Sequence, residues 1–504
     1  MSSSLSMTPA EEKGEEEEEE RMLQPALPSF DEKALVQFVT SRGGSVPPGL
    51  RVCERRVADE RGRFAENGET SSSNLFYLAI DDETAGDAGA RIRVPRESWL
   101  VAADGWRFAA LMEAADMESR PWVELALRLL DEVRLGAASD YAPFLATLRF
   151  VDATPPCWTP LLEAEDAFTN GGADLSGVQM VQACFDYDSF VSGVWQEIAD
   201  MYGVVGANRD AFPEEHFNES LFKWAFGVLR ARTFAPLQAD AIALVPLIDL
   251  ATHDAAAGGW QKRRAGLLGG GEAVELVVSS PPGRSLQNEV SMSFDGNAAM
   301  RATTSQLALD YGVVEEVARQ VACGRPGYRL TLGLDEDDAY LDDKLDVLEA
   351  EGFFGESATF LLSGGGDGGD ALPPEGMLAY LRLVSLDGAD AFLLEPVFRD
   401  KIWGFLQLPV SETNELSVCA GIVEGCKEAL ASIPNGLVPG SVVFDAADAE
   451  RRAIMSALFW FESQASAASL GQLEYYQERR LKSLKLLDTE GKSTYDPFDD
   501  MTIA

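Results

Sequence analysis

The spacing of apolar residues along the chain changes twice, and each change predicts a different kind of structure. Apolar runs of strand length occur at residues 74–80 and 91–95. From about residue 105 to residue 235, apolar residues recur every three to four positions, which is typical of helices with one buried face. Strand-length runs return at residues 241–250, 272–280 and 289–294. We therefore expect a β-rich unit that is interrupted by a helical insert.

Two segments of the insert carry clear helix signals. Residues 121–133 begin with a proline, which suits the first turn of a helix, and they place Trp122, Leu125, Leu129 and Leu130 along one stripe. A second apolar stripe runs through residues 220–234. Both segments are expected to form amphipathic helices.

The last third of the chain has a mostly helical pattern. Residues 327–334, GYRLTLGL, have the character of a strand. The spacing in residues 377–386, 415–433 and 450–470 is helical instead. Residues 363–370 are rich in glycine, as is typical of a flexible connector. This part of the chain is expected to be a separate, mostly α-helical domain.

Together these patterns predict an α+β protein with two domains between two polar tails. The first domain is expected to cover residues 30–325 and the second residues 326–490. Residues 1–29 include six consecutive glutamates and few apolar side chains, so this acidic tail is expected to be disordered. Residues 491–504 form the second tail.

The net charge of the chain indicates which classes of molecule it can bind. The 83 acidic and 41 basic residues give a net charge of −42. Such a surface repels nucleic-acid phosphates and anionic membranes, and no apolar run has the length of a membrane span. We expect neither a nucleic acid nor a membrane as partner. Basic, lysine-bearing proteins would be attracted, although solubility alone also accounts for an acidic surface.

The six cysteines are dispersed, and none forms a Cys-x-x-Cys pair. The sequence therefore predicts no zinc site, no other metal and no disulfide framework, but reduced and mostly buried thiols. Cys419 and Cys426 are seven residues apart, which is compatible with one helix face packed in a core.

Residues 241–254, AIALVPLIDLATHD, join a long apolar run to a polar cluster. Asp249 ends the run, and Thr252 and His253 follow it. Polar side chains at the end of a buried strand often belong to a functional site. His253, one of two histidines in the chain, is therefore a candidate site residue; a structural histidine with satisfied hydrogen bonds is the alternative.

This segment resembles the cofactor-binding strand of SET-domain protein-lysine methyltransferases, which ends in Asp-x-x-Asn-His. Further similar segments follow the order found in the Rubisco large-subunit (and aldolase) lysine N-methyltransferases: WAFGVLRARTF (224–234), EVSMSF (289–294), LALDYG (307–312), DDKLDVLEAEGF (342–353), LAYLRLVSLDGADAFLLEPVFRDKIWGFLQLPVS (378–411) and LEYYQERRLKSLKLL (473–487). The resemblance covers roughly residues 30 to 490.

The resemblance implies a fold, an activity and a partner. The fold is a SET β-fold with a helical insert, followed by a helical substrate-binding domain. The implied activity is transfer of a methyl group from S-adenosylmethionine to a protein lysine, with Rubisco or aldolase as the partner. The implied compartment is the chloroplast stroma; the cytoplasm is the alternative, because the acidic N-terminus is unlike a transit peptide.

The same resemblance assigns roles to individual residues. Cofactor-binding positions fall on Leu75, Arg232, Thr252 and His253, and methyl-transfer channel positions fall on Phe294 and Tyr311. Two of these have simpler alternatives: Arg232 pairs with an acidic neighbour, and Tyr311 packs in the core.

Three parts of the implied site depart from the family's pattern. The positions of a Gly-x-Gly motif around Leu75 hold Asn74 and Phe76. The asparagine of the Asn-His pair is Thr252, and a channel tyrosine is Phe294, which has no hydroxyl. The sequence therefore leaves two hypotheses open. The chain is either a divergent methyltransferase or a non-catalytic pseudoenzyme whose C-terminal domain holds a protein partner.

Overall fold

The fold is known from a computed structural model. It describes residues 25–54, 76–81, 90–102, 106–116, 120–148, 177–233, 242–254, 257, 260–263, 271–278, 289–294, 302–311, 314–364, 372–399, 401–435, 437 and 442–466. The strands are β1 (Leu50–Glu54), β2 (Phe76–Ile80), β3 (Arg91–Pro95), β4 (Leu100–Val101), β5 (Ala243–Leu244), β6 (Thr252–His253), β7 (Trp260–Arg263), β8 (Ala273–Val277), β9 (Ser291–Met292), β10 (Pro326–Gly333) and β11 (Ser357–Ser363). The α-helices are α1 (Glu32–Thr40), α2 (Ala109–Ala114), α3 (Pro121–Leu135), α4 (Ala142–Leu145), α5 (Gln179–Ala199), α6 (Glu219–Arg232), α7 (Thr304–Tyr311), α8 (Val317–Cys323), α9 (Leu341–Ala350), α10 (Met377–Val384), α11 (Pro396–Arg399), α12 (Ile402–Leu406), α13 (Glu412–Ser432) and α14 (Val442–Ser466).

The first hydrophobic core is built on several small sheets. Strands β3, β8 and β7 form an antiparallel sheet in that order, and β1–β2 and β4–β5 are antiparallel pairs. Strands β6 and β9 pair in parallel. All five residues of β2 are buried, because β1 lies on one side and residues 289–290 bond to its other edge. The pairing of β6 with β9 brings the segments around 250 and 290 together.

Helices α2 to α6 lie between β4 and β5 in the chain, in the region where the apolar spacing predicts helices. Pro121 begins α3 as expected. The predicted stripe of α3 is confirmed for Leu125 and Leu129, which are fully buried, but it is wrong for Trp122. Trp122 is 40% exposed, because the helix meets the core only from Val123 onwards.

The predicted strand over residues 241–250 is wrong beyond β5. Pro246 has no N–H to donate to a ladder, and Leu247 has φ 69° and ψ −55°. The Ile248 N–H donates to the Pro246 carbonyl at 2.9 Å, which closes a γ-turn of the rare, strained form. A 3₁₀ turn then covers Ile248–Leu250. The residues of this segment are apolar because they are buried, and not because their backbone is extended.

The second hydrophobic core is formed by helices α9 to α14 and the hairpin β10–β11. The helices expected near residues 377, 415 and 450 are confirmed, although α14 begins eight residues earlier than expected. The sequence patterns did not identify β11. Its Ala358, Phe360 and Leu362 alternate inward, which is the period of a strand with one buried face.

The cysteines of α13 behave as expected from their spacing. Cys419 and Cys426 are both buried in the second core. Burial raises the pKa of each thiol to about 11. The five cysteines that the structure describes are free, and Cys157 lies outside the described residues.

Two helices belong to both cores. The first turns of α5 contribute Val181 and Cys184 to the second core, whereas Trp195 near its end belongs to the first. In α7, Leu307 belongs to the first core and Leu309 to the second. The two parts of the molecule therefore share helices instead of meeting only across a surface.

Within the described ranges, no helix has the length and apolar character needed to cross a bilayer. The same residues contain no group of three or more His, Cys, Asp or Glu side chains suited to a metal ion. The acidic run at 15–20 and the segment 473–487 lie outside the described residues.

Candidate functional site

A buried ion pair lies at the end of the long apolar segment. Helix α6 ends with Arg232, and the turn after Leu247 presents Asp249 to it. Arg232 Nη1 donates to Asp249 Oδ2 at 2.8 Å, and both side chains are completely buried. Arg232 Nη2 also donates to the Thr147 carbonyl at 2.9 Å. The alternative in which Arg232 pairs with an acidic neighbour is confirmed.

The surroundings of Asp249 are electrostatically unusual. Burial raises the pKa of this carboxyl to about 6, although the Arg232 guanidinium acts in the opposite direction. Its second oxygen, Oδ1, is buried and accepts no hydrogen bond from any described residue. A buried acceptor of this kind is expensive to leave unused, so it is a place where a bound ligand can donate.

His253 is held by hydrogen bonds at both ring nitrogens. The Phe294 N–H donates to His253 Nδ1 at 3.2 Å, which leaves the ring hydrogen on Nε2. Nε2 lies 2.8 Å from Glu315 Oε1 and donates to it. The side chain of His253 therefore fixes the backbone at Phe294, as the structural alternative expects. A contact between His253 and a cofactor stays a prediction, and it would use other atoms than the ring nitrogens.

Glu315 is the anchor of this arrangement, and no sequence signal singled it out. Burial alone raises the pKa of its carboxyl, but hydrogen bonds from His253 and Arg325 more than offset this and lower the pKa to about 2. Both side chains of the Glu315–Arg325 pair are buried. The carboxylate thus stays ionised and ties residues 253, 315 and 325 together.

We expect Glu315→Gln to lower the stability at pH 7 by about 3 kcal/mol, because it removes the carboxylate charge that pairs with the buried Arg325 guanidinium. The stabilisation from a lowered pKa is present above the unfolded-state value and is lost as the pH falls towards 2. Urea denaturation at pH 7 measures the difference. Glu316→Gln, next to it and exposed, is the matched control, and an equal loss in both variants would contradict the prediction.

Thr252 occupies the asparagine position of the family's pattern and uses its side chain within the protein. Its hydroxyl lies 3.3 Å from the Val290 carbonyl and 3.1 Å from Ser291 Oγ. Strands β6 and β9 set this geometry, because Thr252 is directly opposite Ser291 in their parallel pairing. The role of Thr252 in cofactor binding stays a prediction.

The channel positions form a row of rings beside this cluster. The ring centroid of Phe294 lies 5.0 Å from that of His253 and 4.5 Å from that of Tyr311. Phe294 is buried, and Tyr311 is half-buried. The Tyr311 hydroxyl donates to the Thr233 carbonyl at 3.5 Å. The described site residues named from the sequence therefore meet in one region.

The remaining positions of the motif are only partly visible. Asn74 and Leu75 lie outside the described residues. Phe76 begins β2, is 2% exposed, and places its ring centroid 4.4 Å from that of Phe30. Phe76 is therefore a core residue, whatever else it does at the site.

Comparisons with known proteins identify the relatives of this chain. The family description "Rubisco LSMT substrate-binding" matches residues 335–454. The chain is 31% identical to the chloroplastic [fructose-bisphosphate aldolase]-lysine N-methyltransferase of Arabidopsis thaliana, over 92% of this chain and 94% of that protein. It is 34% identical to the chloroplastic Rubisco large-subunit N-methyltransferase of Pisum sativum, over 92% of this chain and 91% of that protein.

Solved structures lead to the same family. The SET domain of LSMT bound to lysine and AdoHcy is 26% identical, with a TM-score of 0.66, and the match covers 93% of this chain and 97% of that one. Rubisco LSMT bound to AdoMet is 25% identical with a TM-score of 0.64, covering 93% and 98%. With identities above 30% over nearly the full length of two relatives, the chain belongs to the SET-domain family of Rubisco large-subunit and aldolase lysine N-methyltransferases.

Proposed function

We propose that this chain is an S-adenosylmethionine-dependent protein-lysine N-methyltransferase. The observation that carries the proposal is the row His253–Phe294–Tyr311, which ends in a hydroxyl held by the Thr233 carbonyl. The ring row lies beside the parallel pair β6–β9, and Asp254 and Thr252 bond to the β9 segment through their N–H groups. The proposal therefore rests on two features, the Tyr311 hydroxyl, which the family's pattern also has at this position, and the backbone that the β6–β9 pair holds in place.

The described residues fit the proposed cofactor. S-adenosylmethionine, when bound, supplies the methyl group. Its amine and hydroxyl donors suit a buried carboxylate oxygen such as Asp249 Oδ1, which lacks a donor among the described residues. We propose that Asp249, Thr252, His253 and Leu75 line this cofactor site, with Arg232 fixing Asp249.

The chain's own residues would prepare the lysine. A lysine amine is a nucleophile only when it is neutral, and burial against apolar rings lowers its pKa. Phe294 and Tyr311 supply such rings; Phe294 is buried and Tyr311 is half-buried. The Tyr311 hydroxyl is a polar group at which the amine can be oriented. Phe294 excludes water but offers no second hydroxyl.

The substrate that we propose is a lysine of a folded protein, such as Rubisco or aldolase. The matched substrate-binding region, 335–454, favours a protein as substrate, and the net charge of −42 favours one with a basic surface. By resemblance to its relatives, the proposed compartment is the chloroplast, and the cytoplasm is the alternative.

The test combines binding and transfer with the purified full-length chain. Calorimetry with S-adenosylmethionine should show saturable binding, and methyl-labelled S-adenosylmethionine should label Rubisco or aldolase on lysine. S-adenosylhomocysteine should suppress both signals. Absence of cofactor binding at millimolar concentration would show that the proposal is wrong.

A second candidate function is non-catalytic binding of a protein. The observations that favour it are Phe294, which lacks a hydroxyl, and Thr252, whose hydroxyl bonds within the protein. In this case the immobilised chain should bind Rubisco or aldolase without labelling it. Replacement of the exposed acids 335–337 by lysine should weaken that binding. Efficient methylation by the purified chain contradicts this candidate.

A further inference from the structure

A buried carboxylate lies where the two cores join, away from the cofactor positions. Glu450 of α14 has no exposed surface. Its Oε1 lies 2.5 Å from Ser305 Oγ, and its Oε2 accepts the Gln179 N–H at 3.2 Å. Glu450 belongs to the region 335–454 that matches the substrate-binding description, but its two partners do not.

Both partners of Glu450 mark the start of a helix. Gln179 is the first residue of α5, and Ser305 is the second residue of α7. The first N–H groups of a helix have no partner within it and carry the positive end of its dipole, so a carboxylate is favourable there. One side chain from α14 thus acts at the N-termini of two other helices.

Helix α7 connects this point with the ring row. The helix has eight residues and ends with Tyr311. Leu307 faces the first core, and Leu309 faces the second. Near its C-terminal end, Asp310 forms an ion pair with Arg230 of α6. A helix this short and held at both ends moves as one body, so a shift at Ser305 changes the position of Tyr311.

We propose that Glu450 is a positioning residue through which the C-terminal domain fixes α7, and with it the hydroxyl of Tyr311. The proposal assigns Glu450 a link between the region that holds the protein substrate and the proposed methyl-transfer channel. The expected effect of Glu450 on catalysis rests on the proposed function, whereas its expected effect on the order of α7 does not.

The protonation of Glu450 suggests a conservative variant. Burial raises the pKa of this carboxyl to about 7, and hydrogen bonds from Ser305 and the start of α5, with the charge of Arg451, offset part of the effect. Burial and the charge of Glu450 both raise the pKa of the Tyr328 phenol. When protonated, Glu450 donates to Ser305 and accepts from Gln179. Glu450→Gln keeps that donor and that acceptor, so it reproduces the protonated form.

Hydrogen–deuterium exchange of the full-length chain without ligand tests the link. We expect Glu450→Ala and Ser305→Ala each to make the amides of residues 302–311 exchange about tenfold faster, because each removes the buried hydrogen bond between Ser305 and Glu450. The double variant should add little to either change. Glu450→Gln should retain the slow exchange. Glu462→Gln, an exposed carboxylate on the same helix, is the control and should change nothing in α7.

Kinetics then separate positioning from general damage. If the chain methylates protein, Ser305→Ala should lower kcat for transfer while the KM for the cofactor stays the same, whereas Glu450→Gln should keep the kcat of the unmodified chain. Unchanged exchange in α7 for both alanine variants would overturn the proposal, as would additive effects in the double variant. Because exchange needs no turnover, absence of methyl transfer in the unmodified chain would count only against the proposed function.

Discussion

Asp249→Ala should destabilise the folded chain by about 3–5 kcal/mol, because it leaves the Arg232 guanidinium buried without its counter-charge. Neither side chain of the pair has exposed surface. The Thr147 carbonyl would remain as a partner of Arg232, but a neutral acceptor does not compensate a buried positive charge. Urea denaturation followed by tryptophan fluorescence measures the loss.

Two further variants show whether the loss comes from the buried charge. Arg232→Met combined with Asp249→Leu should recover much of the stability, because apolar side chains of similar volume need no counter-charge. Glu197→Ala breaks the exposed pair between Arg120 and Glu197, and it should cost less than about 1 kcal/mol. If Asp249→Ala cost no more than Glu197→Ala, the pair would have to be less buried than its geometry shows.

Tyr311→Phe should lower the methyl-transfer rate by about 100-fold or more while the fold is retained, because removing a hydroxyl that acts in the transition state has an effect of that size. The ring contact with Phe294 remains, and the contact from the hydroxyl to the Thr233 carbonyl is lost. Single-turnover assays with labelled S-adenosylmethionine measure the rate. Tyr202→Phe removes a hydroxyl from a side chain that is 87% exposed, and it should leave the rate unchanged.

A gain-of-function variant complements this loss. If the missing hydroxyl of Phe294 limits transfer, Phe294→Tyr should raise the rate. If Phe76 obstructs the cofactor, the change should have no effect until Phe76 is also reduced in size. Because Phe76 packs against Phe30 in the core, Phe76→Gly should itself cost about 3–5 kcal/mol. Phe76→Ala at low temperature is the milder choice, and cofactor binding is then the measurement to compare.

Periodicity predicted the regular parts of the fold well and failed where backbone chemistry intervened. Strand β3 has the predicted bounds, 91–95, because its apolar side chains alternate. The apolar run after residue 241 is equally compatible with a strand and with a buried turn. The backbone forms the turn because the φ of Pro246 is fixed and that of Leu247 is positive. The spacing of apolar residues contains no information about either angle.

The candidate site shows the same division. The resemblance singled out Arg232, His253, Phe294 and Tyr311, and the structure brings the side chains of the last three together, whereas Arg232 pairs with Asp249. It gave no indication of Glu315, which lies 62 residues after His253 and fixes its ring. A partner so distant in sequence is selected by the tertiary fold, and a single sequence does not report such pairs. Glu450 escaped notice for the same reason, since Ser305 is 145 residues away.

The sharing of α5 and α7 between two cores has a consequence for how the molecule can be divided. A fragment beginning at residue 326 would leave behind Val181 and Cys184, which help to fill its interior. It would also uncover the apolar surface of α14 that α5 and α7 now cover. The second core is therefore discontinuous in sequence, and a single recombination event at residue 326 would not transfer it complete to another protein.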